Sequence, residues 1–108
     1  MKIVDFHPVA LKIIRGFSIS TRKIIGQAIL ELQKGEKLSM PLSRPVKSIG
    51  SGVEEIRVKD SHGIYRVFYL ARMKGRIIVF HAFAKKTQKI PQKEIKTAKL
   101  RLREVIYD

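Results

Sequence analysis

Apolar and polar positions change period several times along this chain, and each change marks an element. Lys2 to His7 alternate weakly and stop at Pro8, which has no N–H for a strand ladder, so they predict a short opening strand. Val9, Leu11, Ile13 and Ile14 then give a helix an apolar face, with Gly16 as its stop. Ser20 and Thr21 offer an N-cap for a second helix, in which Ile24, Ile25, Ala28, Leu30 and Leu32 recur at roughly helical spacing before Gly35. So short a join between the two helices predicts a packed hairpin. From Leu38 to Gly52, Pro41, Pro45, Gly50 and Gly52 stand among serines, which is turn chemistry and predicts a connecting loop.

Three runs rich in Val, Ile, Phe and Tyr follow: Val53 to Lys59, Ile64 to Ala71 and Arg76 to Phe83. The short joins Asp60-Ser61-His62-Gly63 and Met73-Lys74-Gly75 favour antiparallel hairpins, so the runs predict a meander. In the first run Glu55, Arg57 and Lys59 share one face while Ile56 and Val58 take the other. Ile77-Ile78-Val79-Phe80 is apolar on both sides and reads as a central strand covered on both faces. Pro91 stands where an N1 proline opens a helix, and Ile95, Ala98, Leu102 and Val105 or Ile106 line one side of that helix. The order β-α-α-β-β-β-α predicts one small α+β domain over residues 1–108: an antiparallel meander packed on the N-terminal helical hairpin, with a C-terminal helix.

Composition adds charge to this picture. The 108 residues include 23 Lys and Arg against 9 Asp and Glu, a net charge of +14 that points to a polyanionic partner. From Arg72 to Arg103 eleven basic residues face a single acid, Glu94, which places the electrostatic footprint in the C-terminal third. Without cysteine there is neither a disulfide framework nor a thiolate site. The N-terminus lacks a signal-peptide core, and no apolar run approaches the ~20 residues that cross a bilayer, so the expected location is the cytoplasm.

Three blocks then become specific: Gly52-Val53-Glu54-Glu55-Ile56-Arg57, Tyr65-Arg66-Val67-Phe68-Tyr69, and His81-Ala82-Phe83-Ala84-Lys85-Lys86-Thr87-Gln88-Lys89-Ile90-Pro91. They resemble the RelE/ParE toxin superfamily, and within it the HigB-like, phage-derived branch, which reads G-x-x-E-L-R, then Y-R-V, then H-x-F-x-K-K-T-x-K-x-P. The blocks total 22 of the 108 residues and lie between positions 52 and 91; the first alone is a weak motif and the last a strong one. The resemblance implies a RelE-like fold and the toxin of a type II toxin-antitoxin pair, a ribosome-dependent messenger-RNA endonuclease that needs no metal or other cofactor. It also implies a hetero-oligomeric complex with a cognate antitoxin, a small helix-turn-helix protein. In such chemistry a 2′-hydroxyl attacks the adjacent phosphate, and the enzyme supplies positive charge for the phosphorane and proton transfer at both oxygens.

Matched position by position, the resemblance makes Arg57, Arg66 and Lys86 the catalytic candidates, with Lys85, Lys89, Lys59 and Lys93 as RNA contacts. Arginine suits a phosphate because it stays charged and can grip two oxygens. Glu55 fits the phage-derived branch, but the chain departs from the best-studied RelE pattern there, where a strand lysine is usual, and near Gln92, where a tyrosine is usual. Glu55 is therefore either a general base or the ion-pair partner of Arg57. His81 is either a general base or a hydrogen-bonded structural histidine amid Val79, Phe80 and Phe83. Tyr65 and Tyr69 read as core residues, and no second ligand stands at metal-binding spacing from any histidine. Two other functions share these features: a ParE-type inhibitor of DNA gyrase, and an RNA-binding protein without catalysis.

Overall fold

The computed structural model describes residues 1–71 and 74–106; Arg72 of the basic run and Met73 of the expected turn lie outside these described residues. The chain order is β1 (Ile3–Phe6), α1 (Pro8–Arg15), α2 (Ile19–Gln33), β2 (Ser43–Pro45), β3 (Val53–Asp60), β4 (Gly63–Leu70), β5 (Arg76–Lys85) and α3 (Gln92–Ile106). The α+β class, the two consecutive N-terminal helices on one face of the sheet, the β3-β4-β5 meander and the final helix are as the pattern predicts. The sheet has five strands in the order β1-β5-β4-β3-β2 and is mixed. β1 lies parallel to β5, and the loop expected from Leu38 to Gly52 contains β2, antiparallel to β3. The edge strand β1 is tied down by Arg76, whose Nε and Nη2 both lie 2.7 Å from Asp5 Oδ2.

Local chemistry fixes the helix ends. His7 caps α1, its Nδ1 accepting from Val9 N at 3.2 Å, and its Nε2 reaches Glu104 Oε1 on α3 at 3.1 Å. The cap of α2 is Ser18, which accepts from Thr21 N at 3.3 Å. That corrects the expected cap at Ser20 or Thr21: the helix starts earlier, and Thr21 is a buried donor inside its first turn. Gly35 ends α2 as expected, at φ +91, where Glu36 N bonds Glu31 O and Gly35 N bonds Leu32 O. This pair of bonds satisfies the last carbonyls and requires a left-handed residue. Pro91 precedes α3 as its cap residue rather than standing at N1, since its carbonyl accepts from Ile95 N at 3.2 Å.

The sheet is covered on both faces. Against the hairpin, Ile14, Ile25, Ala28, Ile29 and Leu32 pack on Ile56, Val58, Val67, Tyr69, Ile77 and Val79. Ile24, expected in that face, is exposed, and Ile29 takes its place. On the opposite face Ala98, Ile95, Leu102 and Val105 of α3 pack on Phe68, Leu70, Ile78, Phe80 and Phe83. The register shifts between Phe68 and Tyr69: Phe68 opposes His81, whereas Tyr69 opposes Val79. Phe80 is the extra residue of a β-bulge, so Phe80 and His81 both project toward α3 and every later residue of β5 changes face. β5 also runs on to Lys85, which makes Ala84 and Lys85 strand residues rather than loop residues.

Candidate nucleic-acid site

On the α3 face, alternation along β3 and β4 brings Glu55, Arg57 and Arg66 together where the sheet is otherwise apolar. Gly52, at φ +82, makes the turn that starts β3 in this register. Arg57 and Arg66 are directly opposed. Arg57 N donates outward to Leu42 O at 2.8 Å, so the Arg57–Arg66 pair is one of those without ladder hydrogen bonds, in which side chains stand closest. Like charges facing each other there repel, and something must compensate them.

Glu55 is that compensation. It is 2% exposed, with Oε2 3.6 Å from Arg66 Nε and Oε1 4.0 Å from Arg57 Nη1. Arg44 of β2, paired across from Glu55, brings a third guanidinium, Nε lying 3.9 Å from Oε1. Burial pushes the Glu55 carboxyl above its ordinary value, while Arg66, Arg57 and Arg44 pull it back in that order. Burial likewise lowers Arg66, against the pull of Glu55.

The three arginines differ in access. Arg66 is 0% exposed, its Cζ 5.5 Å from the Phe83 ring centre. Its Nη2 donates to the carbonyls of Thr87 (2.9 Å) and Gln88, so it holds the backbone of the lysine loop from beneath. Arg57 keeps only 11% of its side chain exposed and donates through Nη2 to Gln88 Oε1. Arg44 is the most open, with 39% of its side chain exposed.

Around this cluster Lys59, Lys85, Lys86 and Lys89 are exposed, as is Lys93 in the first turn of α3. The structure thus joins Glu55, Arg57 and Arg66 directly and sets Lys86 on the loop they brace. His81 stands apart. Arg101 Nη1 donates to its Nδ1 at 2.8 Å, which leaves the proton on Nε2, donated to Glu94 Oε1 at 2.8 Å. Burial lowers its pKa, Glu94 opposes this and Arg101 adds to it. Both ring nitrogens are therefore occupied. Tyr65 packs edge-on to Phe17, and Tyr69 bonds Ser43 Oγ at 2.7 Å, both toward the hairpin. Gln92 is exposed at the start of α3. Arg44 is the residue that sequence reasoning missed. Among the described residues no group of three His, Asp or Glu gathers to hold a metal, and no helix is long and apolar enough to cross a membrane.

The fold is similar to that of the isolated RelE toxin of E. coli, with a TM-score of 0.53, 16% identity, and coverage of 89% of this chain and 97% of that one. None of the curated proteins matches the chain in sequence. Residues 12–103 match the family model described as phage derived protein Gp49-like (DUF891), a span that takes in the Glu55 cluster, the lysine loop and most of α3. The resemblance carried by the three sequence blocks holds: the chain belongs to the phage-derived Gp49-like family and has the RelE-like fold.

Proposed function

We propose that this protein is the toxin of a type II toxin-antitoxin pair, a ribosome-dependent endoribonuclease that acts on messenger RNA in the cytoplasm and is held inactive by a small helix-turn-helix antitoxin. One observation carries the reading: a buried carboxylate assembles three guanidiniums beside a loop of exposed lysines. A phosphorane concentrates negative charge, and cations fixed before the reaction stabilise it without reorganising.

In this reading the RNA 2′-oxygen bonds to phosphorus as the bond to the 5′-oxygen breaks, leaving a cyclic phosphate and a 5′-hydroxyl. One proton leaves the 2′-hydroxyl and one reaches the 5′-oxygen. Arg57 and Lys86 are the groups that meet the phosphate, with Lys85 and Lys89 guiding the strand and Lys59 and Lys93 extending the contact. Arg66 is a positioning residue, since its guanidinium lies beneath the loop and bonds the loop backbone. Glu55 holds the arginines. His81, with both ring nitrogens engaged, fixes α3 to the sheet.

Brief inducible expression followed by mapping of transcript 5′ ends tests the proposal. Cuts within translated frames are expected, and Arg57→Ala or Lys86→Ala should relieve them together with the translation arrest. Equal cutting of untranslated RNA would rule out ribosome dependence. A DNA-damage response with intact transcripts would point to gyrase instead, and a harmless chain to RNA binding alone.

A further inference from the structure

Beside the Glu55 cluster, between α2 and the outer edge of β3, lies a groove of about 460 Å³, within the roughly 300–1,000 Å³ range of small-ligand sites. Its apolar wall is Ile24, Pro41, Leu42 and Val58, and its polar wall is Arg44, Arg57, Lys59 and Gln88. The groove exists because β2 is short. β2 pairs only with residues 54–56, Arg57 N bonds Leu42 O, and the chain then leaves at Pro41 while β3 continues to Asp60. By the alternation of an antiparallel edge, the next outward backbone groups belong to Lys59 and face the uncovered side.

We propose that this groove is a nucleotide subsite, taking the base of one RNA residue against Ile24, Leu42 and Val58 and its phosphate on Arg44 and Lys59. An apolar wall opposite cations matches a ligand that is flat and weakly polar at one end and anionic at the other. Of the three guanidiniums around Glu55, Arg66 is sealed and Arg57 is engaged by Gln88, whereas Arg44 has an open side. Arg44 Nε is itself buried without a hydrogen-bond partner while 39% of the side chain stays exposed, so the guanidinium faces the groove with donor capacity to spare for a phosphate. Gln88 adds selectivity. Arg57 occupies its Oε1, which leaves Nε2 as the end that donates, and a donor favours bases with an acceptor on the presented edge. The inference rests on a nucleic-acid ligand but not on cleavage.

The test is a methyl-detected NMR titration of the full chain with AMP, GMP, CMP and UMP, and separately with inorganic phosphate. The nucleotides should move the methyl signals of Ile24, Leu42 and Val58, and phosphate alone should leave them in place. Arg44→Ala should weaken nucleotide binding about tenfold, the loss of one charge-assisted contact. Ile24→Glu changes an exposed helix position, so the fold is retained, and it should abolish the methyl response. Methyl shifts confined to Thr87 and Ile90 of the lysine loop, or undiminished binding by Arg44→Ala, would overturn the proposal. Methyl shifts in a protein that cuts no transcript uphold the groove and sink the nuclease reading. Cut transcripts with the methyl signals unmoved overturn the groove and leave the nuclease reading standing.

Discussion

A guanidinium sealed beneath a loop and an ammonium exposed upon it should fail in different ways when removed. Arg66→Ala would leave Glu55 and the carbonyls of Thr87 and Gln88 without their buried partner, so a stability loss of about 3–5 kcal/mol is expected in denaturant melts. Lys86→Ala, at an exposed position, should stay within about 0.5 kcal/mol of wild type while losing RNA cutting. Equal stability for both variants would remove the bracing role from Arg66. Glu55 makes a second residue-scale prediction. Its folded pKa is raised above the ordinary 4.5, so the folded state holds the proton more tightly than the unfolded chain does. Its contribution to stability is then full below the unfolded value and lost as pH rises through the folded one. Glu55→Gln cannot titrate. Thermal melts in steps from acid to neutral pH should show wild type losing ground to Glu55→Gln as pH rises, and a gain instead would reverse the assignment.

At the scale of elements, what the sequence shows and what it hides follow from where each partner comes from. The two N-terminal helices and the meander depend on periods of a few residues and on neighbouring segments, and both are legible. β1 is legible as a strand, but its partner β5 lies across the whole sheet in sequence, and no local pattern names it. β2 is three residues long and contains Pro45, too little for any period, so Arg44 gains a face only through its pairing with Glu55. Arg66 was readable as a charge in an apolar strand; that it points under the loop depends on where residues 86–89 cross. The bulge at Phe80 explains His81 in the same way, because a strict period of two would place it with Val79 on the hairpin side. From its place against α3 a prediction follows. The folded pKa of His81 is lowered, so its contribution is full above the unfolded value of 6.5 and lost as pH falls through the folded one. The ring then gains a charge facing Arg101 and His7, which Glu94 offsets in part. Hydrogen-exchange protection of α3, corrected for intrinsic rates, should fall as pH drops below 6.5 in wild type and stay level in His81→Gln. Parallel loss in both proteins would exclude His81 as the cause.

For the whole molecule the net charge of +14 decides how binding depends on salt. Most of that charge lies on exposed lysines, of which Lys34 alone makes an ion pair among the described residues, and such charges act over a Debye length rather than through fixed contacts. They hasten encounter with any polyanion but discriminate little among them. Fixed contacts are countable in another way, because each phosphate neutralised on a single strand releases counterions and steepens the fall of log K with log salt by about 0.7. If Lys86 holds one phosphate, Lys86→Ala should flatten that slope by about 0.7 for a short single-stranded RNA. If Lys99, exposed on α3 beyond the loop, acts only through the general field, Lys99→Ala should lower affinity at low salt and leave the slope nearly unchanged. Fluorescence anisotropy across a salt series reads both quantities in one experiment. Equal slopes for wild type and Lys86→Ala would mean that the loop lysine steers RNA without gripping it, and the phosphate contact would then have to be sought at Arg57.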